Sequence, residues 1–161
     1  MNMKNNVDVS LPRFLEKQFR TTYDRTEWFV SFQKAVNGLT HEQATHKTSN
    51  DVQSIFEIVA HLTYWNERYL KKMKNEPQRS PMLNDNDLTF SQSGYKDWNE
   101  LLRKVENVFQ GWAEHLSEIS DESAEHFSAI ANTSMHNAYH IGQIVMLRKL
   151  QGSWNSEDGV K

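Results

Sequence analysis

Apolar residues recur every three or four positions in four stretches of the chain. The first holds Phe14, Leu15, Phe19, Tyr23, Trp28, Phe29, Phe32 and Val36. That spacing puts them on one face of a helix. Ser10 is a suitable N-cap, and Pro12 falls in the first turn, where its missing N–H leaves no bond unmade. Asn37-Gly38 closes the stretch. The second helix is predicted from Asn50 as cap, with Gln53 completing a capping box, through Val52, Ile55, Phe56, Val59, Leu62, Thr63, Tyr69, Leu70 and Met73 to about Lys74. The third opens near Ser91 or Ser93 and carries Trp98, Leu101, Leu102, Val105, Val108, Phe109, Trp112, Leu116 and Ile119. The fourth runs from about Asn132 to Leu150, with Gly152 placed for a left-handed C-terminal cap.

Between these stretches the chain is polar. LTHEQATHKTS reads as a linker and ISDESAEH as a loop or short turn. NEPQRSPMLNDND has two prolines and no period, so it reads as the one long connection, between helices 2 and 3. No segment alternates as a strand would. The expected fold is all-α, a four-helix bundle over residues 10–152. Residues 1–9 are expected to form a flexible N-terminus, and 153–161 a C-terminal tail.

The 161 residues suit one domain with a core of its own. A net charge of −3 argues against a nucleic-acid partner. The densest basic cluster, Lys71, Lys72 and Lys74, ends a predicted helix, where cations complement the negative terminus. The chain has no cysteine, which excludes disulfides, thiolate zinc sites and a cysteine nucleophile. No signal-peptide core and no run near the ~20 apolar residues of a membrane span is evident. A cytoplasmic protein without a membrane partner is expected.

The chemistry lies in HNAYHIGQ, residues 136–143. His136 and His140 are four apart, so both imidazoles fall on one helix face. His61 stands mid-helix among apolar neighbours in IVAHLTYWNERYL, and is the candidate third ligand. His41 and His46 in the linker, His115 beside Glu114 and His126 beside Glu125 are expected in solvent. Three neutral imidazoles without sulfur suit zinc, nickel, copper or ferrous iron rather than magnesium or calcium. The alternative is interior histidines bonded to carboxylates or backbone.

HNAYHIGQIVMLRKLQG resembles the fourth-helix signature of the DinB/YfiT-like metalloprotein superfamily, and IFEIVAHLTYWNERYL its second-helix signature. GLTHEQA resembles the family's first linker. The resemblance spans roughly residues 10–152. It implies His61, His136 and His140 as metal ligands, with zinc or nickel as the ion, and an up-up-down-down bundle whose long connection is the 75–92 segment. It matches Gly142 and Gln143 to a family Gly-Gln pair. Gly142 suggests a close helix approach or room beside the site, and Gln143 a partner for a ring nitrogen. The resemblance also implies a homodimer and a metal-dependent transferase using a low-molecular-weight thiol such as bacillithiol or mycothiol.

Two other classes stay open: a metal-dependent hydrolase, and a non-enzymatic bundle that binds metal or a small ligand in a stress response. The expected partner is a small-molecule substrate or thiol. Neither GxSxG nor HExxH occurs, and no catalytic base is identifiable. Glu57 and Glu67 flank His61 on its helix, and Tyr64 and Trp65 are candidate pocket walls. Trp28, Trp98 and Trp112 either fill the core or meet a partner.

Overall fold

The computed structural model describes residues 10–78 and 82–159. The expected flexible segment 1–9 lies outside the described residues. Six α-helices and no strand occur among those described: α1 Leu11–Tyr23, α2 Phe32–Val36, α3 His41–Thr45, α4 Ile55–Met73, α5 Trp98–Glu118 and α6 Ala124–Leu150. None is long and apolar enough to cross a membrane.

The helix boundaries follow caps more than apolar period. The expected first helix breaks at Tyr23, because Arg25 N–H turns back onto the Arg20 carbonyl and the chain leaves the helix. Trp28 then lies 98% exposed, while Trp98 and Trp112 are core residues. The linker holds α3, opened by a Thr40–Gln43 capping box. α4 is capped by Ser54 with Glu57, not by Asn50 with Gln53. Asp97 caps α5 by accepting from Glu100 N–H at 2.8 Å, so α5 begins after the expected serines. α6 begins eight residues before the expected start, and with the 3-10 turn Asp121–Ser123 before it takes up most of ISDESAEH.

Residues 153–159, the described part of the expected tail, lie against the helices. Gly152 takes φ +72° and turns the chain back, as expected of a left-handed cap. The buried Arg148 then donates to the carbonyls of Ala35, Asn37 and Ser153 at 2.8, 3.1 and 2.7 Å, and its guanidinium lies over Trp154. Lys34 pairs with Asp158 at 2.6 Å.

α1 and α4 each pack on both α5 and α6. Phe19 stacks on Trp112 with centroids 4.7 Å apart, and Tyr23 on Phe109 at 4.2 Å. As α1 advances, α5 retreats, so these two run antiparallel. Phe56 meets Trp98 near the starts of α4 and α5, and a Cβ on Gly111 would lie 2.8 Å from Leu70 near their later turns. α4 and α5 therefore run parallel, in an approach so close that a Cβ at 111 would push the Leu70 side chain aside. These contacts correct the expected up-up-down-down order: α1 and α4 oppose each other, while α4 and α5 run together. A parallel pair obliges the chain to return the length of α4 before α5 begins. The connection after Met73 makes that return, and its short 3-10 turn, Asn86–Thr89, packs on α4.

Candidate metal centre

The Ser54–Glu57 capping box fixes where α4 begins, and His61 follows in its second turn, 2% exposed. The face of α6 turned to α4 carries His136, half-buried, and His140, 5% exposed. Three rings from two helices meet at one point. His136 Nε2 lies 3.0 Å from His61 Nε2 and 3.0 Å from His140 Nε2. All three donor atoms fall within 4.8 Å of one another.

The hydrogen bonds decide where the protons sit. Thr89 donates its hydroxyl proton to the Asn86 carbonyl at 2.6 Å, so its oxygen receives the Nδ1–H of His61. His140 donates Nδ1–H to Gln143 Oε1 at 2.6 Å, and Gln143 turns its amide N–H to the Tyr139 hydroxyl at 3.2 Å. Both Nε2 atoms are therefore bare acceptors. His136 Nε2 faces both, and carries one proton at most, so at least one of the two 3.0 Å contacts sets lone pair against lone pair. Such a cluster wants a cation at its centre.

That cation is not a proton at neutral pH. Burial lowers the pKa of His61 to about 3, with the neighbouring imidazoles adding to the effect. Burial, then His140, lowers His136 to about 4. His140 is lowered by burial against the opposing bond from Gln143. Neutral imidazoles with Nδ1 tied and Nε2 free are the form that binds a divalent metal. Nitrogens this close can share one ion at about 2.0–2.1 Å. The donor set thus fits a divalent transition-metal ion.

The three nitrogens open onto a cleft of about 1170 Å³, walled by Trp65, Tyr69, Phe90, Tyr139 and Met146. Phe90 stacks on the His61 ring at 3.9 Å between centroids, nearly parallel. Trp65 holds its place through an indole N–H bond to Asn86 Oδ1 at 3.2 Å.

Other expected residues lie elsewhere. Tyr64 does not face this cleft; its hydroxyl accepts the Leu83 N–H at 3.2 Å. Glu57 serves the α4 cap and pairs with Lys47 at 3.0 Å. Glu67 pairs with Lys71 and Lys104, both at 2.7 Å. Neither glutamate belongs to the histidine group. His41 and His46 are exposed, although His41 Nδ1 accepts the Trp98 N–H at 3.3 Å. His115 and His126 are half-buried, not in open solvent, and His115 Nε2 is a buried atom without a partner. Gly142 marks no close helix approach: a Cβ there would meet nothing within 4 Å. Thr89 and Phe90 went unnoticed in the sequence because they end a segment with no period.

The model of the DinB superfamily matches residues 18–146. No curated protein and no solved structure matches the chain. The chain belongs to the DinB superfamily.

Proposed function

We propose that this DinB-superfamily chain is a divalent-metal-binding protein, with His61, His136 and His140 as ligands, that acts as a metal-dependent thiol S-transferase of the bacillithiol type. The observation that carries the reading is the meeting of three Nε2 atoms whose partners at Nδ1, Thr89 for His61 and Gln143 for His140, leave lone pairs facing inward. A divalent ion held there supplies a Lewis acid that favours the thiolate form of a low-molecular-weight thiol. The thiol proton would pass to solvent, sulfur would form a bond to an electrophilic carbon, and the leaving group would depart with the bonding pair, so no oxidant is required. The chain's own part is orientation and exclusion of water. Phe90 and Trp65 wall the approach, and Thr89 and Gln143 hold the rings. The protein works in the cytoplasm, as a homodimer; the exposed Met135, Met146 and Leu150 on α6 support such a contact, and sedimentation tests it.

Elemental analysis of untagged protein should find close to one zinc or nickel ion per chain, and His140→Ala should lose it. The cobalt form, titrated with bacillithiol, mycothiol and glutathione, should gain a sulfur-to-metal charge-transfer band with one of them at micromolar thiol. No band with any thiol at millimolar concentration would remove the transferase and leave a metal-binding protein.

A further inference from the structure

A second polar cluster lies inside the helix layers, next to the histidines in sequence and fully enclosed. Asn66 on α4 is 0% exposed and Asn137 on α6 is 1% exposed. Their amides exchange hydrogen bonds: Asn66 Nδ2 donates to Asn137 Oδ1 at 2.7 Å, and Asn137 Nδ2 donates to Asn66 Oδ1 at 3.2 Å. Each amide has one N–H left. Asn66 gives it to the Leu62 carbonyl at 2.8 Å, and Asn137 gives it to Thr22 Oγ1 at 3.4 Å. Thr22 can accept because its own proton goes to the Phe19 carbonyl at 2.7 Å. The indole N–H of Trp112 adds a bond to the main-chain carbonyl of Asn66 at 3.0 Å. The cluster thus ties α1, α4, α5 and α6 at one level.

Apolar packing cannot do what this pair does. A helix face of Ile, Leu and Val accepts several registers at similar energy, whereas a paired amide inside it accepts one. Sliding one helix by a single residue moves its side chains about 1.5 Å along the axis and turns them about 100°. Asn66 would then face a hydrocarbon neighbour with its polar atoms bare. The same slide would carry His61 off the point where it meets His136 and His140. Asn137 directly follows His136, and Asn66 lies five residues after His61, so the amide pair and the triad span the same two helices about 7.5 Å apart along α4.

We infer that Asn66 and Asn137 are positioning residues for the metal centre: their reciprocal amide bond sets the register of α4 against α6 that brings the three imidazoles together. The inference rests on the metal-binding reading above. It differs from a purely structural role in one respect. Exchange of both amides for hydrocarbon should spare or raise stability, since the Thr22 hydroxyl and the Leu62 carbonyl left behind keep partners within their own helices, yet should still weaken the site.

The test is the double variant Asn66→Leu with Asn137→Leu. Zinc and cobalt affinity is measured by competition with a chromophoric chelator, beside thermal melts of the metal-free proteins. Ile144→Val, a core trim away from the pair, is the control. The expected result is a metal affinity about 10–100-fold below wild type, the range of lost outer partners, with a melting temperature equal to or above wild type and an unchanged affinity in the control. Wild-type affinity in the double variant would overturn the inference while leaving the metal reading intact. Absence of metal binding in the wild type would overturn the reading and the inference with it. Should the leucine pair fail to fold, Asn66→Ser with Asn137→Ser leaves a polar space that water can fill, and the same comparison of affinity is made.

Discussion

The asparagine pair and the histidine triad are two polar clusters on the same two helices, and they are opposite in kind. In the first, all four amide N–H groups find acceptors and the cluster is complete. In the second, the bare Nε2 atoms of His61 and His140 both face His136 Nε2, which can answer one of them at most. A buried polar group without a partner is a cost that folding alone does not recover. The first cluster holds structure, and the second leaves lone pairs that the proposed metal would answer. Burial does not tell them apart, since His61 and His140 are nearly as enclosed as the amides. The count of donors against acceptors does.

That contrast breaks most visibly at a proposed ligand. His61→Ala should lower zinc affinity by more than the ~10–100-fold of an outer partner, with a cooperative melt retained; chelator competition and calorimetry check both. His126→Ala should leave affinity unchanged, because that ring lies outside the triad. Gln143→Leu removes the acceptor of the His140 Nδ1–H while keeping the ligand. It should cost about 10–100-fold in affinity, read by the same competition. If affinity held, the tautomer would not be set where the geometry sets it.

Asn137→Ala attacks the complete cluster and leaves the Asn66 amide half bare. We expect a loss of about 1–3 kcal/mol, seen as a fall in melting temperature of about 2–4 °C per kcal/mol. The contrast also shows in the pH response of metal-free protein. The triad's folded pKa values lie below the ordinary histidine value, near 3 for His61 and 4 for His136. An unfolded chain therefore binds more protons than the folded one below about 6.5, and stability rises with pH. The contribution should be full above about 6.5, then drain as pH falls toward 4 and 3. Denaturant midpoints across that range should show the slope, and His61→Ala should flatten it.

How much of this was legible follows the same divide. The all-α class, the HxxxH pair and the mid-helix His61 are local facts, set by spacing that survives in any tertiary context. Helix ends were less legible, because several sets of residues could cap. Asn50 with Gln53 and Ser54 with Glu57 both offer a capping box, and only packing selects the second. Trp28 and Phe29 continued an apolar period across a segment that is not helical. Helix order escaped because direction lies in pairs such as Phe56 with Trp98. Asn66 and Asn137 escaped for the same reason: each alone reads as an ordinary polar residue, and their meaning is in a contact 71 residues apart.

The parallel run of α4 and α5 also sets an order in time. The returning connection brings Thr89 to His61 across a separation of 28 residues, whereas His136 must come from 75 residues away. Closing the longer loop costs more entropy and waits for α6. The ring of His61 should thus be steadied before its partners arrive, and the ability to capture metal should be the last property the refolding chain acquires. In stopped-flow refolding with cobalt present, the ligand-field absorbance should lag behind the helical signal in the far ultraviolet. Simultaneous appearance of the two would mean that the histidines themselves gather the helices.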